Sequence, residues 1–432
     1  MKIEFGRPLF LALAIGASCF GSRSLLGQSV TFSTNDFGTG LGPYSIAAAD
    51  VLGTGRPAII TANQNDSTLT VLGNFGNGTL FVSNASYAVS SSPRCVVAVD
   101  VNGDSKVDLI SVGVSATTVL TNNNFRSFGW NSTITTGGNC AVTINLNNDG
   151  ISDLLIGGNT SVRIYTNNGT GHFGIATNLS VTGTVYSMAT ADVNADGRLD
   201  LIVANYNDGT LTVFTNNGSG ALVSNATYSA GSFVRSVAAA DINGDGHPDL
   251  IAANISSATL TILTNNGTGT FGSNATVAVL GCYSVVAGDF NGDGLTDLIA
   301  IDGSRRPGIL SVVTNSSTGF GPYFTITAGQ ESQAMAVADF NGDNKPDLVL
   351  GNTVSSITVL LNSTQFVPPP LNIVSAGNQS VLYWRSPSAS TVLQATVNLT
   401  NPNWFTVTNG AAIQGVTLPV TSPALFFRLE SQ

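Results

Sequence analysis

Asp241-Ile-Asn243-Gly-Asp245-Gly246-His-Pro-Asp249 decides the reading of this chain. Oxygen-bearing side chains stand at positions 1, 3, 5 and 9, with a glycine at position 6 for a sharp bend. Relatives of the phrase start at Asp100, Asn145, Asp192, Asp289 and Asp339, and a worn copy (DVLGTGRPA) starts at Asp50. Seven copies separated by 45 to 50 residues define a repeat protein.

Around each phrase the local pattern recurs. In the fifth copy a small/apolar run, Ser236–Ala240, precedes it, and a short apolar run, Leu250–Ala253, follows. A polar gap, a third run at Leu260–Thr264, an Asn-Asn-Gly turn and a fourth run at Ala275–Val279 complete the unit. No segment has helical period, and Asn-Gly predicts a tight hairpin with positive φ at both turn positions. Four short antiparallel strands in each unit predict propeller blades. The seventh unit runs through Ala334–Ala338, Leu348–Leu350 and Ser356–Leu361 and then meets Pro368-Pro-Pro370, so its fourth strand is missing. Residues 29–34 (SVTFST) supply an orphan strand before the first unit. Closing the ring with it would remove exposed sheet edges. The expected architecture is all-β: a seven-bladed β-propeller over 28–367, closed by the N-terminal strand, then a Pro linker at 368–370. A small C-terminal β-sandwich-like domain is expected over 371–432, with strands near Asn372, Val381, Val392, Trp404 and Phe426.

The phrase offers a hard, oxygen-only donor set, which suits Ca²⁺ with its 6–8 oxygen ligands. No Cys or His stands at a ligand position, which excludes the usual zinc pattern. A helix–loop–helix calcium loop would need Glu at position 12, where Ala252 stands, and flanking helices. Candidate metal ligands are Asp100, Asn102, Asp104 and Asp108; Asn145, Asn147, Asp149 and Asp153; and Asp192, Asn194, Asp196 and Asp200. The later copies add Asp241, Asn243, Asp245 and Asp249; Asp289, Asn291, Asp293 and Asp297; and Asp339, Asn341, Asp343 and Asp347.

Charge makes the case sharper. Only 9% of residues are charged, against roughly 25% in an ordinary domain. Yet 17 of the 25 acidic residues fall in those six phrases. Two carboxylates about 5 Å apart repel by about 3 kcal/mol at an effective dielectric of about 20. A compensating cation is expected in each loop, about six Ca²⁺ in all. The first copy, with Leu52, Thr54 and Ala58 at positions 3, 5 and 9, is expected to bind none. Asn145 in place of the first Asp, and Asn344 in place of the glycine, predict weaker third and seventh sites.

At this point the chain resembles the FG-GAP/VCBS repeat family, relatives of the integrin α-subunit propeller. The likeness covers about 50–365 and rests on the six phrases and the trailing hairpin at 263–271 (LTNNGTGTF), without a literal Gly-Ala-Pro tripeptide. It implies the propeller fold, calcium, and a role in adhesion or recognition. Some related propellers bind sugars or accompany polysaccharide-degrading domains.

Other features narrow the function. Lys2 and Arg7, then the apolar run Leu9–Ala17 and small residues, read as an export signal over 1–27, so a secreted, cell-surface or periplasmic protein is expected. No basic stripe exists for nucleic acid, and no apolar stretch is long enough for a membrane span. Without that signal the net charge is −12, which six Ca²⁺ would bring to zero. Cys95, Cys140 and Cys282 read as buried free thiols, although Cys95 and Cys140 occupy equivalent places where a bridge is conceivable.

Six residues before each phrase stand Tyr44, Arg94, Asn139, Tyr186, Arg235, Tyr283 and Gln333. They are expected as a ring at the channel mouth on the face opposite the acidic loops, a candidate ligand site for an extracellular glycan or protein. Asp66, Tyr206, Asp208, Arg305 and Arg306 stand in neighbouring loops, and Gly38-Thr-Gly-Leu-Gly42 reads as a loop. The alternative is a lectin or a polysaccharide lyase or glycosidase built on the propeller. An enzyme would need a base or carboxylate pair outside the metal loops. Asp66 and Asp208 stand three blades apart, and no His falls on that face, so a non-catalytic module is expected.

Overall fold

A computed structural model of the chain describes residues 30–364, except 124–126 and 317, and beyond these only strand backbones within 11–12 and 372–431. Small and apolar residues alternate through the inner strands, which are Pro43–Ala49, Cys95–Val99, Cys140–Ile144, Val185–Ala191, Val234–Ala240, Ser284–Gly288 and Ser332–Ala338. Each pairs antiparallel with a second strand, as Ala240 opposite Asp249 and Ala238 opposite Ile251. The second strands (Asp249–Asn254 in the fifth blade) are buried at every residue, because neighbouring blades cover both faces. Outer strands such as Leu222–Ser229 alternate toward solvent and read less plainly. In blades one to five a bulge between third and outer strands adds twist.

Seven four-stranded sheets result. The seventh contains Ser332–Ala338, Asp347–Asn352 and Ser356–Asn362, and its fourth strand is Phe32–Gly38, with Phe32 opposite Asn362 and Gly38 opposite Ser356. The closing strand therefore lies a few residues later than 29–34. That register places Phe32 and Phe37 against the cores on the two sides of the blade.

Hydrophobic side chains collect between blades rather than inside them. Each of the seven apolar clusters draws on two adjacent sheets, as where Ile202 and Leu211 meet Val234 and Leu250. Blade-to-blade burial closes the ring. The hairpin after the third strand is wider than expected. In the fifth blade it runs from Asn266 to Thr270, with positive φ at Gly267 and Gly269. Asn265 Oδ1 accepts the Gly267 and Gly269 N–H groups at 3.0 and 3.3 Å and holds the turn open.

The C-terminal backbone forms strands at Asn372–Ala376, Gln379–Ser386, Thr391–Thr396, Phe405–Asn409, Ala412–Pro419 and Phe426–Ser431, so the sequence reading missed only the fifth. They fall in two antiparallel sheets, one of which includes the two-residue strand Leu11–Ala12. The Pro linker at 368–370 and the side chains that would make a sandwich core lie outside the described residues, as does residue 404. The bulk of the expected signal over 1–27 lies outside them as well.

Candidate metal loops and channel-mouth face

The acidic phrases connect first and second strands, so all seven loops share one face of the ring. The backbone is left-handed at position 6 in every copy: Gly in five, Ser105 in the second and Asn344 in the seventh. Position 4 is left-handed too, from Gly53 to Gly342, a requirement the sequence reading missed. Side chains fold inward onto the loop amides. Asp241 Oδ1 accepts the Gly244 and Asp245 N–H groups at 2.7 and 3.2 Å, and Oδ2 accepts Gly246 N–H at 2.8 Å. Asn243 Oδ1 accepts Asp245 N–H, and Asp245 Oδ1 accepts His247 N–H. The second, fourth and seventh loops repeat the arrangement through Asp100, Asp192 and Asp339. Even the worn copy is built this way, with Asp50 accepting Thr54 and Gly55 N–H.

Position 9 does something further. Asp108, Asp153, Asp200, Asp249, Asp297 and Asp347 are fully buried at the start of each second strand. One oxygen accepts the N–H of position 2, as Asp249 from Ile242 at 3.0 Å, and the other accepts the N–H of an Asn ending the third strand, as Asp249 from Asn265 at 2.7 Å. The same pair of bonds recurs in the other five. That Asn then reaches outward. Asn265 Nδ2 donates to the Val193 carbonyl in the preceding blade's loop at 2.8 Å. Asn122, Asn167, Asn216, Asn315, Asn362 and Asn74 donate likewise to Val51, Val101, Asn145, Ile242, Phe290 and Phe340. Seven latches circle the ring, each tying a third strand to the neighbouring loop. The sequence reading took these asparagines for turn formers. Their recurrence at 74, 315 and 362, where no Asn-Asn-Gly follows, was the available signal.

The donor set fits a hard divalent cation. Every candidate ligand is a carboxylate or amide oxygen, and the loops carry mutual repulsion. Burial pushes the Asp108, Asp153, Asp200, Asp249 and Asp347 carboxyls up, the two amide donors offset part of this, and loop carboxylates raise them again. Asp347 is pushed up to about 6. In the third loop Asn145 Oδ1 is buried and accepts no hydrogen bond. The described geometry is not yet a closed cage, for among the described residues no three His, Cys, Asp or Glu side chains converge as ligands. Lys106, Arg198 and Lys345 at position 7 pair with the position-5 carboxylates Asp104, Asp196 and Asp343. The fifth loop, with His247 there, keeps Asp245 clear of such a pair.

The raised carboxyls set a pH dependence for the metal-free protein. Their folded pKa lies above the unfolded value near 3.9, so protonation favours the folded state. That contribution is fully present below about pH 4 and is lost as pH rises through about 6, where Asp347 titrates. The melting midpoint in EGTA is expected to rise between pH 7 and pH 5. A midpoint that falls over that interval would refute the assignment.

On the opposite face, Tyr44, Tyr186, Arg235 and Gln333 each occupy the extra residue of an inner-strand bulge. Arg94, Asn139 and Tyr283 stand one residue before their strands. Contacts link them in three groups. Arg235 reaches from the fifth blade to the first and donates to Tyr44 Oη at 2.9 Å, with its guanidinium 4.4 Å from the Tyr186 ring centre. Arg94 donates to Asn139 Oδ1 at 2.7 Å. Tyr283 and Gln333 both pack so close to Gly303 that a Cβ there would lie 2.8 and 3.1 Å from them. Tyr206 packs edge-on to Tyr186 at 4.9 Å and lies 5.1 Å from Phe233. Phe233 is 42% exposed and has φ of 59°, at a position that is glycine (Gly42) in the first blade. A bulky residue held there costs about 1–3 kcal/mol. Arg305 pairs with Asp302 and Arg306 with Glu331, while Asp208 is exposed in its loop.

Cys95, Cys140 and Cys282 are free thiols. Cys95 Sγ accepts Ala141 N–H at 3.2 Å, the role Ser45, Ser187 and Ser236 play between other inner strands. Burial pushes the Cys95 and Cys282 thiols up to about 11 and the Cys140 thiol higher still.

Fold and loops together define a closed seven-bladed repeat propeller with an acidic rim on one face. Residues 145–203, 192–252, 241–300 and 289–350 each match the family model described as FG-GAP-like repeat, every window running from one acidic loop to the next second strand. The chain is thus a β-propeller of FG-GAP type, of the integrin α-like kind the phrases resemble. No curated protein matches the sequence. Among solved structures, the crystal structure of BBS1N in complex with ARL6DN, soaked with mercury, is similar with a TM-score of 0.56 and 13% identity, over 79% of this chain and 99% of that one. The lead-soaked form gives 0.55 at 13% identity, over 77% and 96%. A lectin from Agrocybe aegerita, described as recognising non-reducing terminal N-acetylglucosamine, has a TM-score of 0.49 at 19% identity, over 78% and 96%. At such identities the likeness is one of fold.

Proposed function

We propose that this protein is an exported, calcium-stabilised recognition or adhesion module without catalytic activity, which binds an extracellular glycan or protein through the channel-mouth face. The observation that carries the reading is the cluster of Arg235, Tyr44 and Tyr186 on that face. Arg235 spans it from Tyr186 to Tyr44, beside the exposed Phe233. Among the described residues neither Arg235 nor Arg94 has a carboxylate partner, in a chain of net negative charge. Aromatic and arginine side chains in a partly desolvated centre are the usual anchors of recognition.

Calcium in the six acidic loops, held by the Asp and Asn oxygens at positions 1, 3, 5 and 9, would neutralise their charge and brace the latches behind them. Among the described residues, the surroundings of the carboxylates outside those loops support the non-catalytic reading. Asp36 accepts from Thr358, Asp302 and Glu331 face arginines, and Asp66 and Asp208 belong to separate blades. Among the described residues no helix is long and apolar enough to cross a membrane.

Screening the calcium-loaded protein against glycan arrays and extracellular proteins tests the reading. Arg235→Ala and Phe233→Ala are expected to weaken any ligand found at least tenfold, roughly 1.4 kcal/mol, with the melting curve preserved. Equal binding by both variants rejects the mouth as the site, and chain cleavage of a polysaccharide would favour the enzyme alternative.

A further inference from the structure

We infer that the seam where the N-terminal strand closes the ring holds a second binding site, for a neutral sugar residue. A cleft of about 520 Å³ opens there between the seventh and first blades. Its walls are Gly38, Thr39 and Gly40 on one side and Asp66, Thr68, Thr70 and Ser86 on the other.

At the seam one residue departs from what five blades share. After the outer strands of those five the chain donates an N–H to the turn of its own blade: Val89 to Ser67, Val181 to Thr160, Ala230 to Gly209, Val279 to Ala258 and Ala328 to Gly308. Those five side chains are apolar and pack into the adjoining cores. At the seam Thr39 makes the equivalent bond to Ser355, but its hydroxyl turns to the Gly40 carbonyl. In the second, fifth and sixth blades the linker also covers the third-strand hydroxyl, through Ser90 on Thr118, Ala230 on Thr261 and Leu280 on Ser311. Thr70, in the same position of the first blade, bonds only Asn63 and Ser86, as Thr212 of the fourth blade bonds only Asn205 and Thr227. A Cβ on Gly38 would meet nothing within 4 Å.

The lining selects the ligand. Asp66 Oδ2 accepts Leu41 N–H at 2.5 Å, which orients the carboxylate, and Oδ1 makes no bond within the protein. Buried Asn63 donates to Thr68 and Thr70, which turns both hydroxyl protons away from it and leaves the Thr68 proton to donate. One carboxylate and the four hydroxyls of Thr39, Thr68, Thr70 and Ser86 fall short of the 6–8 well-placed oxygens that Ca²⁺ takes. The unpaired carboxylate repels anions, and no apolar side chain lines the cleft. What remains is an uncharged molecule with several hydroxyls, in a volume within the range of about 300–1,000 Å³ typical of small-ligand pockets.

The test is ligand-observed NMR and calorimetry on the calcium-loaded chain, with the methyl glycosides of glucose, mannose and galactose as probes and glucuronate as the charged control. At least one neutral probe is expected to bind with a dissociation constant on the order of 1 mM, and glucuronate at least tenfold more weakly. Gly38→Leu fills the cleft and Asp66→Asn removes its anionic acceptor, and each should weaken binding at least tenfold. Thr39→Val installs the side chain of the first, third and fifth blades and should abolish binding without lowering the melting midpoint, which guards against a misfolded Gly38→Leu. Silence of all three neutral probes up to about 50 mM overturns the inference, as does binding that survives Thr39→Val.

Discussion

Removing calcium with EGTA is expected to lower the melting midpoint by about 10 °C, and restoring millimolar Ca²⁺ should recover it. An extracellular site with Kd near 10⁻⁴–10⁻³ M contributes about 1.4 kcal/mol at tenfold excess metal. Six independent loops together add roughly 8 kcal/mol, comparable with the stability of a whole domain. For a ring of this size each kcal/mol moves the midpoint by somewhat less than about 2 °C. The effect should be unequal among loops. With no position-7 lysine or arginine beside Asp245, the fifth loop should bind more tightly than the second, fourth and seventh, where Lys106, Arg198 and Lys345 compete for their own carboxylates. Such exposed pairs are worth little on their own, so calcium should displace them. Differential scanning fluorimetry with and without EGTA decides the matter, and coincident melting curves would end the calcium proposal.

Replacing the position-9 carboxylate should damage the ring even with the metal chelated. Asp249→Ala leaves two buried amides, Ile242 and Asn265, without an acceptor, and it loosens the side chain that latches onto Val193. Each orphaned amide costs about 1–3 kcal/mol, so a loss of about 3 kcal/mol, or about 5 °C, is expected in EGTA. Asp241→Ala is the contrast. Its carboxylate accepts only exposed loop amides, which water can satisfy, so its cost should appear mainly in calcium. Equal losses for the two variants in EGTA would show that position 9 is no more structural than position 1.

Much of this was legible because repetition amplifies weak signals. A single Asp-x-Asn-x-Asp-Gly turn has many explanations, but its return about every 48 residues exposes the blade as a unit. The missing fourth strand of the last unit and the spare strand before the first forced ring closure. Outer strands were placed less well, as with 29–34 for Phe32–Gly38, because alternation toward solvent leaves register weakly specified. The ring residues were visible as a column, one in each repeat. Their contacts were not, since Tyr44 and Arg235 stand 191 residues apart.

By itself, then, the amino-acid order determined the sheet content, the number of blades, the acidic face and the place of the mouth residues, all of which depend on local period and composition. Only the folded ring decided that third-strand asparagines latch neighbouring blades, that position-9 carboxylates are bonded on both oxygens, and that Thr39 leaves a cleft at the seam. Those facts depend on which groups meet across blades after closure, and spacing along a chain carries no record of such meetings.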